Sequence, residues 1–526
     1  MNKSVIKFTW LFFLGGSMLF SSPNFAQSGK TTPKNPIVPP VPIVPIDSSK
    51  KPTNDRVIAD LAKYLDSLNA TEHFIHSELS FCLRSAATGK ILLDHQGNMS
   101  LIPASIQKIL TTSTSLHTLG PDYTFKTLIQ YDGTINKTTG VLDGNIYIKG
   151  SGDPSLGSES FKGYEMDTVL KKWASAIKNA GIKKITGSVI GDESIFDYET
   201  IPPGWAWEDM ESDYCTGTCG LSFNDNMFDI DVAYCNKEIC VNARDSVPGL
   251  YLHDEITINP DVDFSYVYVM GSPYMNERYV MGYLTPRTKT LSFKSILPDP
   301  ALFCASQLTQ TLKDYGVAVA GIETTVRRTK IKGQILKPSR TTIYVSTSPT
   351  LKEIITFTNL VSQNFYAETL LKTLGVDSMH AGTTDRGVQA VGRFYESQNI
   401  PMKGMYLTDG SGLSRNNSIS PAVLSAMLTT LTKDTTFFRN FYETLPEVEV
   451  RQKVYTKPKG KTPPPVLTTI HAKSGYMTRV RSMAGYVVGA SGKIYTFTII
   501  VNNHECELME IYEDLMEVAK HLSNLE

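Results

Sequence analysis

The sequence predicts an α+β fold in which one domain is interrupted by inserted segments. Two observations carry that expectation. The first is an internal echo. AIKNAGIKKITGSVI (176–190) resembles TLKDYGVAVAGIETTV (311–326), each a helix ending in Lys-polar-x-Gly, then a strand running through a second glycine. Units so far apart read as halves of one domain, with the segment from about 200 to 290 inserted between them. The second is the character of the chain's two ends. DRVIADLAKYLDSLN (55–69) has the spacing of an amphipathic helix, and LSFCLRSAATGKILLDHQ (79–96) reads as a hairpin turning at Ala87–Thr88–Gly89–Lys90. The far end offers a buried-strand run, KIYTFTIIVNN, and an amphipathic LMEIYEDLMEVAKHL. First and last parts therefore complete one domain.

The intervening elements follow in order. At PASIQKIL (103–110), Pro103 disfavours helix for the residue before it, so a helix is expected to begin close to Ser105. Ile106, Ile109, Leu110, Leu116 and Leu119 recur mostly at core-facing intervals, and Gly120 supplies the stop. From Phe125 to about Pro154 the pattern is short strands with Gly and Asp turns. YEMDTVLKKWASAIKNAG (164–181) is helical, and after 345 helices with long apolar faces return.

Composition sets the outer bounds. The 526 residues are 41% hydrophobic and 20% charged, with a formal net charge of −1. That suits several domains with a real core and gives no reason to expect nucleic acid as partner. Lys3 and Lys7 precede the apolar run Phe8–Phe20, the pattern of a secretory signal ending near Ala26. Asn24 is a poor residue two places before that cut, which leaves an uncleaved anchor as the alternative. A proline-rich tether follows (27–54), and no later stretch offers the ~18 apolar residues of a membrane helix. Of the seven cysteines, Cys215, Cys219, Cys235 and Cys240 are clustered, while Cys82, Cys304 and Cys506 stand apart. In an oxidising compartment, disulfides within the cluster are expected ahead of free thiols or a zinc site.

The chemistry is sought first at Ser105 and Lys108. Residues three apart on a helix lie one above the other, so the hydroxyl and amine are neighbours on the first turn. Taken alone, this pair also fits a serine capping the helix beside a solvated lysine. The chain has no G-x-S-x-G elbow, phosphate loop or H-E-x-x-H, and Ser411 in DGSGLS lacks the elbow spacing. A lysine whose pKa is pushed down can instead act as base for a serine nucleophile. S-x-x-K with a downstream Ser-x-Asn and Lys-Thr-Gly is the signature of β-lactamases and penicillin-binding proteins. Here the second triplet is Ser362–Gln363–Asn364 and the third Lys473–Ser474–Gly475, in order and each at an element boundary. Serine replaces threonine in the third and keeps the hydroxyl.

With GKILLDHQGNMSLIPASIQKILTTSTSLHTLGPDYTFKT, GNIYIKGSGDPSL, PPGWAWEDM, LTDGSGLSRNN and AKSGYMTRVRSMAGY added, the chain from about 75 to 505 resembles the class C, low-molecular-mass penicillin-binding proteins. These are the penicillin-binding protein 4 type D-alanyl-D-alanine carboxypeptidases/endopeptidases. The resemblance implies a penicillin-recognising, serine β-lactamase-like transpeptidase domain, a five-stranded antiparallel sheet with a helical cluster, at 55–128 and 345–526. It implies two nested, largely β inserted domains at 129–199 with 291–344, and at 200–290. Serine β-lactamases lack such an insertion.

By the same resemblance Ser105 forms the acyl-enzyme, Lys108 accepts its proton, Ser362 relays protons to the leaving amine, and Asn364 holds Lys108 and the substrate's amide backbone. Lys473 and Ser474 would take the terminal carboxylate, with Gly475 completing the box. The N–H groups of Ser105 and Tyr476 would form the oxyanion hole. Asp209 and Arg415 would reach the side chain of the third stem residue; otherwise Asp209 caps a turn and Arg415 joins a structural ion pair. Trp205 and Trp207 are expected to be packing. No metal or cofactor is required. Implied partners are peptidoglycan stem peptides and β-lactams, in an exported, periplasmic protein. A β-lactamase, or a catalytically weak penicillin-binding scaffold in the cell wall, is the alternative.

Overall fold

A computed structural model describes residues 53–235, 238–450 and 469–526. The expected signal, nearly all of the tether and the side chain of Cys235 lie outside the described residues. The central feature is a five-stranded antiparallel sheet in the order Ile91–His95, Glu78–Ser85, Ile494–Asn502, Val480–Val488, Thr469–Met477. Its middle strand is buried on both faces, which is why KIYTFTIIVNN reads as a continuous run rather than an alternation. Val501, Ile499 and Phe497 pack with the helices Asn54–Asn69 and Leu508–Leu522. Ile500, Ala484 and Tyr486 face the helical cluster that includes Lys108–Leu119, Asn364–Met379 and Pro421–Leu431. Thr496, fully buried among them, is satisfied by Thr429 and the Ser425 carbonyl. The first helix owes its place to Val57, Leu61, Leu65 and Leu68, spaced four, four and three apart on one stripe.

Between the two parts of that domain the chain leaves through Lys126–Tyr131 and returns through Thr341–Thr347, two strands hydrogen-bonded to each other. The internal echo becomes physical here. Each copy has a helix, Met166–Asn179 or Pro300–Asp314, closed by a left-handed glycine, Gly181 or Gly316. Their following strands then pair in parallel with one another, Lys184–Ile185 with Ala318–Val319 and Val189–Asp192 with Thr324–Thr325. The second glycines meet at the crossing: a Cβ on Gly321 would sit 2.7 Å from the Gly187 carbonyl oxygen. Only hydrogen fits that contact.

The segment inserted within this pair forms two three-stranded sheets. Its core residues Phe228, Ile230, Val280 and Leu284 belong to the same apolar cluster as Trp173 and Phe303 of the flanking helices. The expectation of disulfides within the cysteine cluster is corrected for Cys215 and Cys219, both buried free thiols. Cys215 lies beside Asp209 and Glu211, whereas Cys219 enters the apolar cluster beside Glu193, so the two sulfurs face different surroundings. Among the described residues no cluster of His, Cys, Asp or Glu could hold a metal ion, and no helix is long and apolar enough to cross a membrane.

Candidate active site

The α-helix begins at Lys108, not at Ser105. Residues Ala104–Gln107 form a tighter 3₁₀ turn in front of it, and Ala104, fully buried, takes a left-handed φ of 50°. Such a conformation costs a non-glycine residue on the order of 1–3 kcal/mol and persists only where packing enforces it. Ser105 caps nothing: neither helix start has a side-chain cap. Its hydroxyl, half-buried, is instead 2.9 Å from the Lys108 Nζ.

Lys108 is completely buried, and its amine makes two further contacts, 2.5 Å to Asn364 Oδ1 and 2.8 Å to the Ser411 carbonyl. The Asn364 orientation is set by its other end, where Nδ2 donates to the Tyr214 carbonyl at 2.8 Å. Burial pushes the Lys108 pKa down to about 7, against the pull of Asp409 and Glu368, which favour the charged form. The three partners are not equivalent. Asn364 Oδ1 and the Ser411 carbonyl can only accept, so a neutral Lys108 donates its two hydrogens to them. Its lone pair is then left for the Ser105 hydroxyl, the single partner able to donate. Such an arrangement has the geometry that a general base needs toward a hydroxyl.

The third box sits on the edge strand Thr469–Met477. Gly475 lies against the Ser105 turn: a Cβ there would be 2.9 Å from the Ser105 nitrogen, and Ser482 from the next strand donates to the Pro103 carbonyl at 2.6 Å. Glycine is required for that approach. Lys473 is buried with its Nζ on the Ser474 carbonyl at 2.8 Å, and burial, then Lys108 and Arg481, depress its pKa. Ser474 and Tyr476 are exposed on the strand's other face. Ser362 is a left-handed residue closing the helix Leu351–Val361, and its hydroxyl makes no hydrogen bond among the described residues.

Asp209 and Arg415 lie on two segments packed together. The Trp205 indole N–H donates to Asp409 at 2.9 Å, and a Cβ on Gly204 would collide with Ser414 and Asn416. Asp209 accepts from the Tyr214 hydroxyl at 2.6 Å, and Tyr214 in turn receives Asn364, so the inserted segment touches the second box directly. Arg415 is exposed and makes no ion pair among the described residues. Trp205 is buried as expected, but Trp207 is 60% exposed and is not packing.

Residues 61–522 match the D-Ala-D-Ala carboxypeptidase 3 (S13) family. The chain belongs to that family. This S13 peptidase is 25% identical over 441 residues to the D-alanyl-D-alanine carboxypeptidase DacB of Haemophilus influenzae, covering 81% of this chain and 86% of the relative. It is 26% identical to the penicillin-sensitive carboxypeptidase A of Dictyostelium discoideum, over 79% of this chain and 81% of that one. It is 24% identical to the D-alanyl-D-alanine carboxypeptidase of Actinomadura sp. strain R39, over 80% and 76%. In fold it is similar to the crystal structure of penicillin binding protein 4 from H. influenzae, with a TM-score of 0.73, 22% identity, and 89% and 98% of the two chains covered.

Sequence reasoning missed the support under the S13 site. Asp409 is buried and accepts five hydrogen bonds from outside its own backbone: Gln107, Gly412 and Asn417 on Oδ1, Trp205 and Ser414 on Oδ2. Glu368, buried on the helix that follows the second box, accepts from the Gly410 and Ser411 amides. Burial and the nearby Asp409 raise its pKa to about 8. Together the two acids fix the loop whose Ser411 carbonyl holds Lys108. The only trace in the sequence was DGSG, turn chemistry that first drew notice for its serine.

Proposed function

We propose that this S13 peptidase cleaves the D-Ala-D-Ala end of peptidoglycan stem peptides, or the equivalent bond of cross-links, through an acyl-enzyme on Ser105. Lys108 Nζ takes the Ser105 proton as Oγ bonds to the carbonyl carbon of the penultimate D-alanine. The backbone N–H groups of Ser105 and Tyr476 hold the oxyanion. As the C–N bond breaks, the proton passes through Ser362 to the leaving amine. Water then attacks the ester, giving its proton to Lys108, and Ser105 is released. Beyond Ala472 the outer side of the edge strand has no strand partner among the described residues, which leaves room for an extended peptide to add alongside it. Lys473 and Ser474 receive the terminal carboxylate. The reading places the enzyme in the periplasm, where β-lactams would acylate it.

The observation that carries this reading is the 2.9 Å contact between Ser105 and a buried Lys108. Penicillin is expected to acylate Ser105 alone, and mass spectrometry should find the adduct on the peptide containing PASIQK. An adduct elsewhere would sink the assignment.

The inserted segment, with the 409–417 loop packed on it, gives the substrate preference. Asp209 would attract an ammonium and Arg415 a carboxylate; meso-diaminopimelate offers both on one side chain, L-lysine only the amine. Asp209→Asn and Arg415→Ala are each expected to reduce a preference for diaminopimelate stems by about 1–3 kcal/mol. The check is kcat/KM on matched diaminopimelate and lysine peptides. Equal loss on both after Arg415→Ala would mean that the arginine supports the site without reading the carboxylate.

A further inference from the structure

Among the described residues, every buried or half-buried arginine except one has an acceptor. Arg278 pairs with Glu211, Arg327 and Arg328 with Asp299, Arg340 with Asp192, and Arg84 with two carbonyls and Ser425. Arg481 is the exception. Its half-buried guanidinium lies over two tyrosine rings, 5.1 Å from that of Tyr476 and 5.9 Å from that of Tyr512, with no hydrogen bond or ion pair among the described residues. The residues outside the description carry a single acid, Asp47. A cation taken part-way out of water without an anion is costly, and ring faces offset only a part.

The sheet register says where an anion would meet it. Tyr476 pairs with Arg481 and Ser474 with Met483, so Ser474 and Arg481 are diagonal neighbours on one face. Diagonal Cβ atoms lie roughly 7–8 Å apart, within reach of a long side chain. A carboxylate on the Ser474 hydroxyl would therefore share a face of the sheet with the guanidinium and lie within its reach, while Lys473 approaches from the strand's other face.

We propose that Arg481 is a specificity residue, the second cation of the subsite that receives the C-terminal carboxylate of the substrate. The proposal rests on the peptidase reading above. It assigns the attraction of that carboxylate to Arg481 and Ser474 together, with Lys473 divided between the carboxylate and its neighbour Lys108. The serine in the third box then matters less than the charge beside it.

The test is kcat/KM for a peptide ending in D-Ala-D-Ala as free acid and as C-terminal amide, in wild type, Arg481→Gln and Arg481→Lys. Arg481→Gln should lose about ten- to hundredfold on the acid and little on the amide, as expected for one charged hydrogen bond. Arg481→Lys should restore much of the preference, and high salt should shrink it in wild type and in Arg481→Lys more than in Arg481→Gln. Equal losses on acid and amide would overturn the proposal, leaving Arg481 as a prop for the Tyr476 ring. Acylation by a β-lactam as free acid and as methyl ester makes the same comparison without turnover. A protein that labels but cleaves no peptide would thus refute the peptidase reading while the acid-to-ester ratio still judged Arg481.

Discussion

Lys108→Ala is expected to slow acylation of Ser105 by roughly 10²–10⁴-fold, the usual loss when a general base is removed. Lys108→Arg should rescue little, since a guanidinium keeps its proton at any working pH. In wild type the acylation rate should climb with pH through about 7, because only the neutral amine has a lone pair for the hydroxyl. The same depressed pKa has a thermodynamic signature. Between about 7 and the ordinary value of 10.5 the unfolded chain binds a proton that the folded chain has released. Stability conferred through this group therefore rises with pH across that window and is flat below it. The alanine variant should lose both the climb in rate and the slope in stability. Stopped-flow acylation and urea midpoints from pH 6 to 10 measure the two, and an arginine variant that acylates as fast as wild type would reduce Lys108 to an electrostatic neighbour.

A comparable effect, through a different cause, is expected from Asp409→Ala. The substitution leaves five donors pointing into a buried space, three of them on Gln107, Trp205 and Asn417 side chains. Each buried donor left unmatched costs about 1–3 kcal/mol before relaxation, so a net loss of about 3–5 kcal/mol in stability is expected. Activity should fall further than stability explains, because the loop that gives Lys108 its Ser411 carbonyl and the segment that carries Asp209 are released together. Asp409→Asn should not rescue, since its amide sets donors against donors. Thermal unfolding and penicillin labelling, with Arg415→Ala as the control in the same loop, decide the matter. An unfolding midpoint unchanged from wild type would refute the role given to Asp409.

What could be read from the sequence was whatever depends on neighbours along the chain. The hairpin at 79–96, the helices at 55–69 and 164–181, and the echo at 176–190 and 311–326 each declare themselves through periodicity and glycines. The boxes were legible for a related reason, since each packs its chemistry into three or four consecutive residues. What stayed hidden depends on distant backbone. The Ser411 carbonyl and the Tyr214 carbonyl hold Lys108 and Asn364, and a carbonyl leaves no mark on residue type. Glu368 looks like any helical surface glutamate until the 409–417 loop covers it. Proximity in sequence also misled for Cys215 and Cys219, where a turn sends the two side chains into different surroundings.

The sheet's middle strand, Ile494–Asn502, bears on how such a chain can be made. It is flanked by the first strand of the fold on one side and the penultimate strand on the other. A chain emerging from the ribosome N-terminus first must hold the hairpin 78–95 with one long edge open until almost everything else has been synthesised. Exposed edges of this kind invite wrong pairing. The two hydrogen-bonded strands at 126–131 and 341–347 shorten the wait in space, if not in time: once they zip, the intervening region is closed into a loop and the two halves of the sheet are brought near each other. Ser105 meets the late-arriving Gly475 only when the last strands dock. A chain that stops before Ile494 therefore carries the residues of all three boxes, but lacks the strand that joins the two halves of the sheet.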